Sequence, residues 1–155
     1  MQTVETAFSD ITSDRVRRFD AYWRSKCIDG RLPSRDDIEP GEIKDLLAHC
    51  LMVDIEPEPF RVRYRLCGSA VSFYDEELTG TYLDQAKNIT PAELQRIIGR
   101  YHAVVSECRA VFIRRKQRSR QTQYELEMQA GIWPLSKDGV TVNQCVAIED
   151  FPSVT

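Results

Sequence analysis

The densest chemical signal in the chain is basic. Arg109, Arg114, Arg115, Lys116, Arg118 and Arg120 fall within twelve residues that contain no acid. Guanidinium and ammonium groups at that density are what a phosphate backbone or an anionic ligand requires. Yet no aromatic platform follows Phe112 in the run, and the chain as a whole carries a net charge of -3. Single-strand recognition needs interleaved aromatics, and an acidic protein has no general attraction for nucleic acid. The residues Arg114, Arg115, Lys116, Arg118 and Arg120 therefore read first as a solvated hairpin tip, then as a site for an anionic ligand or acidic partner, with nucleic acid a distant third.

The remaining reactive side chains argue against catalysis. Cysteines stand at 27, 50, 67, 108 and 145, an odd count with wide spacings and no CxxC pair, which fits neither a disulfide framework nor a zinc ribbon. Cys50, Cys67, Cys108 and Cys145 each sit in or beside an apolar stretch, where a reduced thiol behaves as a small hydrophobe. A reducing cytoplasm is the consistent location. Asp36-Asp37 and Asp75-Glu76-Glu77 are sequence neighbours, and neighbours do not face one another on a helix or strand. No GxSxG, Walker loop or HExxH is present, and no metal site is expected. The chain reads as a non-enzyme.

The elements that would position these residues follow from hydrophobic periodicity. Ser13-Asp14 caps a helix whose Val16, Phe19, Trp23 and Cys27 make one apolar stripe, stopped by Asp29-Gly30. A loop bracketed by Pro33 and Pro40 leads to a short helix near 41–47 that carries Ile43, Leu46 and Leu47. Cys50 to Glu56 reads as a strand, and Pro57-Glu58-Pro59 ends it. Phe60 to Leu66 alternates bulky and charged residues, the mark of a half-buried strand. Cys67-Gly68-Ser69 breaks that strand into a short helix through Ala70, Phe73, Tyr74 and Leu78, closed by Thr79-Gly80. Thr90-Pro91-Ala92-Glu93 combines an N-cap, a proline in the first turn and a capping-box acid. The helix it opens runs to Cys108 with Leu94, Ile97, Ile98, Tyr101, Val104 and Val105 at helical spacing. Three strands follow at 110–115, 122–133 and 140–149, the last two joined by the Lys137-Asp138-Gly139 turn.

This order predicts an α+β fold: a five-stranded antiparallel sheet with helices packed on one face and an extra N-terminal helix. The organisation is an N-terminal helical extension over 1–30 and a single domain over 31–155. If the sheet face carrying Tyr64, Leu66, Tyr124, Leu126 and Met128 turns inward, it meets Phe73, Ile98 and Tyr101 around an apolar site of the kind that takes a small ligand. Leu66→Ala and Leu126→Ala would then each cost about 2–5 kcal/mol. Val16, Phe19 and Trp23, flanked by arginines, form a reasonable seam for a homodimer. No apolar run approaches the roughly 20 residues of a membrane helix, and the N-terminus lacks the pattern of a secretory signal.

The element order resembles the PAS fold, and particular residues sharpen the likeness. Tyr22-Trp23 on the first helix, the loop pattern of Pro33, Arg35, Asp37 and Pro40, the strand Arg63 to Gly68 (RYRLCG) and Glu77 to Gly80 (ELTG) are similar to a bacterial PAS-type family of unassigned function. The likeness extends to about Leu83; the final three strands fit by general pattern. It implies a PAS-like domain that senses a signal or docks a protein, and it brings no known ligand with it. In some PAS sensors a histidine on the long helix ligates haem iron, but His102 falls on the edge of the apolar stripe and reads as a structural residue, so no cofactor is expected. Cys67 lacks the Asn-Cys-Arg setting that flavin photochemistry uses. With no effector segment read in the sequence, signalling through another protein is expected. The expectation is a cytoplasmic, non-enzymatic sensory module that binds a small ligand, a protein partner or both. The alternative is a ligand-free dimerisation or adaptor module.

Overall fold

The computed structural model describes residues 3–70, 79–87, 89–118 and 125–152. In chain order these form strand β1 (Thr3–Thr6), helix α1 (Asp14–Lys26), strands β2 (Cys50–Pro57) and β3 (Phe60–Cys67), helix α2 (Pro91–Glu107), and strands β4 (Val111–Arg118), β5 (Glu125–Ser136) and β6 (Val142–Asp150). All strand pairs are antiparallel, in the order β1-β4-β5-β6-β2-β3. The α+β class and the antiparallel sheet are as the sequence predicts. The short helix expected around Phe73 lies outside the described residues, as do Tyr124 and Arg120.

Local chemistry explains the elements. The Ser13 hydroxyl accepts from the Val16 N–H at 3.2 Å and opens α1, and the Thr90 hydroxyl accepts from the Glu93 N–H at 3.2 Å and opens α2, with Pro91 in its first turn. The β5–β6 hairpin is tied by Asp138, whose Oδ1 accepts from the Val140 and Thr141 N–H groups at 2.8 Å each and from the Ser136 hydroxyl at 2.9 Å. Those three donors hold the Asp138 carboxyl well below its usual range, at about 2. Gly139 follows at φ +85°, a conformation only glycine adopts without strain.

The sheet has a sixth strand. β1 pairs with β4 from Thr3↔Arg115 to Thr6↔Phe112. Its sequence, TVET, has no hydrophobic alternation to betray it. It caps the open edge of β4 through backbone pairing.

Helices cover both faces of the sheet. α2 lies on one, over a core of Leu51, Val53, Tyr64, Ile113, Met128, Ile132 and Ala147 among others. On the other face α1 packs Val16, Phe19 and Trp23 against Trp133, Leu135, Val146 and Ile148, joined by Ile38, Ile43 and Leu46 from 3-10 turns that replace the short helix expected near 41–47. This corrects the expected dimer seam: Val16 and Phe19 are 0% exposed and Trp23 is 8% exposed within the chain's own fold. The reason is in β5, where every residue from Met128 to Ser136 is buried. Consecutive strand residues point to opposite faces, so such a run demands cover on both.

Two further inward expectations are corrected, one by register and one by position along its strand. The β2–β3 pairing slips between Met52 and Val53, so that Met52 faces Leu66 while Val53 faces Tyr64, leaving Arg65 as the extra residue of a bulge. The slip turns Leu66 onto the Met52 side of an edge strand, where it is 48% exposed. Leu126 shares the face of Met128 but lies toward the end of β5, opposite Gln117, and is 36% exposed. We expect Phe19→Ala to cost about 3–5 kcal/mol and Leu66→Ala under about 1 kcal/mol in chemical denaturation. Equal losses would contradict the bulged register.

Candidate functional site

Beneath α2 the sheet leaves a cavity of about 60 Å³. At roughly 10–15 Å³ per water position, it holds a few waters or a small organic group. Leu51, Tyr64, Ile113, Met128, Ala130, Ile132 and Ala147 line it from the sheet, and Ile97, Arg100 and Tyr101 close it from the helix. Its acidic and basic groups are Arg100, Arg115 and Glu149, beside the phenols of Tyr64 and Tyr101.

Strand alternation places two of those charges. On β4, Val111, Ile113 and Arg115 share the inward face; on β6, Cys145, Ala147 and Glu149 share it. Each strand thus carries a charged residue at the last step of an apolar row. Arg115 is 7% exposed and Nη1 donates to Glu93 Oε1 at 3.2 Å, a contact that reaches from β4 to the first turn of α2. Glu149 Oε1 is buried without a hydrogen-bond partner among the described residues. Burial pushes the Glu149 carboxyl up to about 7, and the positive charge of Arg115 offsets part of that rise. Burial, with Arg115 and Arg96 nearby, holds the Arg100 guanidinium below its usual range, against a smaller opposing pull from Glu5 and Glu93. Arg100 forms no ion pair with a described residue. A half-buried guanidinium without an ion pair beside a buried carboxyl oxygen without a hydrogen bond leaves two groups that a complementary polar partner would satisfy.

The cavity gathers three of the expected pocket residues, Tyr64, Tyr101 and Met128. Ile98 packs against the same core without lining the space. Leu66 and Leu126 stand away from it, and Phe73 and Tyr124 lie outside the described residues. Sequence reasoning missed Glu149 and Arg100, and it placed Arg115 on a hairpin tip. The available signal was the charged residue ending an otherwise apolar alternation, Val111-x-Ile113-x-Arg115 and Cys145-x-Ala147-x-Glu149.

The basic run is dispersed by the sheet. Arg114 pairs with Glu127, Lys116 Nζ lies 3.8 Å from Glu125, and Arg109 reaches Glu5 and Glu107. Arg115 turns into the cavity. Of the other two expected there, Arg118 contributes backbone to β4 and Arg120 lies outside the described residues. His102 is exposed, its ring edge-on to Phe60 at 5.1 Å, outside the cavity lining. Among the thiols, burial raises Cys27, pushes Cys50 up to about 12, and raises Cys145, which disfavours the reactive thiolate at those positions. No described helix is long and apolar enough to cross a membrane.

In comparison with known proteins, residues 11–147 match a family model described as a PAS domain. The match includes α1, α2 and strands β2 to β5 with most of β6, and leaves β1 outside it. No curated protein matches the chain.

The perturbed carboxyl gives stability a defined pH dependence. Between about 4.5 and about 7 the folded chain keeps a Glu149 proton that the unfolded chain has released. The site's contribution to stability is therefore lost as pH rises through that window and stays lost above it, by on the order of 2–4 kcal/mol. Glu149→Gln should gain melting temperature relative to the parent chain on going from pH 5 to pH 8, by on the order of 5 °C, measured by circular dichroism. A difference that does not change with pH would place the Glu149 carboxyl in water.

Proposed function

The chain belongs to the PAS domain family, and we propose that it is a sensory module whose signal is a small molecule held in the cavity between α2 and the sheet. PAS domains in general are sensory and signalling modules rather than enzymes. The observation that carries the reading is the buried Glu149 carboxyl oxygen without a partner, on the wall of an otherwise apolar cavity. A cavity kept only as a packing defect gains nothing from a buried acid, whereas a binding site uses a few placed polar groups to orient its ligand.

Signal transfer would work through the seating of α2. The helix is anchored at its C-terminal half, where Tyr101 and Val104 are buried, while residues 91–100 contain no fully buried side chain. The cavity lies under the junction of these two halves, at Ile97, Arg100 and Tyr101. A ligand that touches both Arg100 and the sheet favours one seating of the looser half over another, and that differential binding is what a population shift requires. The reader of the shift would be a protein partner in the cytoplasm. The alternative of a homodimer built on Val16, Phe19 and Trp23 lacks its seam, since α1 spends those side chains on its own sheet.

Native mass spectrometry of protein purified without additives should show an extra small mass that disappears on denaturation. Ala130→Ile, which adds side chain to the cavity wall, should remove it. A bare mass in the parent chain would overturn the ligand reading, and an adduct that survives Ala130→Ile would move the ligand elsewhere. Hydrogen exchange on the same samples should show residues 91–100 slowed by the ligand more than residues 101–107.

A further inference from the structure

The cavity reading leaves the ligand's chemistry open, and the charges around it narrow the choice. This inference rests on that reading. Arg100 and Arg115 both border the space, and Arg100 has no close acidic partner among the described residues. The acids near Arg100 are Glu5 and Glu93, and Glu93 is engaged with Arg115 at 3.2 Å. Glu149, the acid on the cavity wall, is disfavoured as an anion by its burial. The polar end is therefore positive, and a cationic ligand is repelled.

Size and wall chemistry exclude other anions. A space of about 60 Å³ is far too small for a nucleotide. Inorganic phosphate or sulfate would set oxygens against Ile97, Ile113, Ile132 and Met128, which offer no hydrogen bonds. A molecule with one anionic end and a short hydrocarbon body meets both halves of the site. A neutral alcohol or amide of the same length fills the apolar part but leaves Arg100 uncompensated.

We propose that the cavity binds a short-chain monocarboxylate, its carboxylate between Arg100 and Arg115, its carbon chain against Ile97, Ile132 and Met128, and the Glu149 carboxyl donating a hydrogen bond to it. Burial keeps the Glu149 proton available near neutral pH, and an added anion beside it raises proton affinity further. A planar guanidinium matches a carboxylate in geometry as well as charge. The ligand bridges Arg100 on α2 to Arg115 and Glu149 on the sheet, which is the link the proposed signalling step needs.

The test titrates the full chain with butyrate, butyramide and butylamine, following amide shifts by NMR at pH 7. The three probes share length and differ in charge at one end. A ligand of about six non-hydrogen atoms should bind with Kd in the micromolar to millimolar range. Butyrate should bind at least about tenfold more tightly than butyramide, with butylamine weakest, as expected of a charge-assisted bidentate pair. Arg100→Gln should erase the preference for butyrate and leave butyramide binding in place, while Arg100→Lys retains much of it; dispersed spectra of both variants check that they fold. Equal binding of butyrate and butyramide would overturn the carboxylate inference and leave the cavity reading standing. Shifts from none of the three probes, in a chain whose purified form also carries no bound mass, would overturn both. A tenfold preference surviving Arg100→Gln would overturn the role of Arg100.

Discussion

Burial of β5 on both faces is the constraint from which the rest of the structure follows. Trp133 is fully buried on the α1 side, its indole N–H donating to Asp20 Oδ1 at 3.0 Å, while its neighbour Ile132 faces the cavity. A strand buried on both faces from Met128 to Ser136 cannot stand in a two-layer domain, so a segment outside the sheet must supply the second cover. α1 supplies it and is latched by polar contacts that leave little freedom. The Trp23 indole donates to the Pro134 carbonyl at 2.9 Å, the Ser13 hydroxyl to Asp150 at 2.6 Å, and the Thr12 and Ser13 N–H groups to Gln129 Oε1 at 2.9 and 2.8 Å. Gly131 belongs to the same device: a Cβ there would collide with the Trp133 ring.

The two faces are consequently different in kind. On the α1 side the space is filled by large rings, with Phe19 and Trp133 at 4.6 Å and Phe112 and Trp133 at 5.8 Å between centroids. Close-packed aromatics of this sort make a stiff platform. On the α2 side the central positions of the sheet are small or flexible, Ala130, Ala147 and Met128, and the helix bridges a gap over them. The packed space is thus on the α1 face and the open space on the α2 face. Polar groups on the open side sit where they would otherwise weaken the core, which is the pattern expected when a site has been kept for binding at a cost in stability.

Much of this was legible because it is written locally. The Thr90-Pro91-Ala92-Glu93 start of α2, the Asp138-Gly139 turn and the alternation of residues 60–64 depend on neighbours a few positions apart, and each stands as the sequence predicts. What was illegible is non-local. Arg114 looks like one charge in an acid-free run until β4 and β5 pair and bring Glu127 across to it. Leu66 follows the alternation of Val62 and Tyr64 until a single unpaired residue, Arg65, reverses its direction. β1 carries no hydrophobic pattern because its stabilisation is backbone pairing with β4. The stripe of Val16, Phe19 and Trp23 reads in sequence as a dimer seam because periodicity shows an apolar face without naming the surface that buries it.

Glu149 and Arg115 show why a site is harder to read than a fold. Each is an exception to an apolar row, and a single exception in a strand ordinarily marks the point where the strand emerges into water. Only pairing across the sheet, Arg115 with Met128 and Glu149 with Ala130, reveals that both exceptions fall on the covered side. α2 then passes above them with Arg100 as a third, so three ionisable side chains from three elements border one apolar space. Their cost is shared between sheet and helix, and any group that relieves it must touch both. In the signalling step proposed above, that shared cost is what would couple the seating of α2 to the occupant of the cavity, through electrostatics acting over the short span of one helix turn.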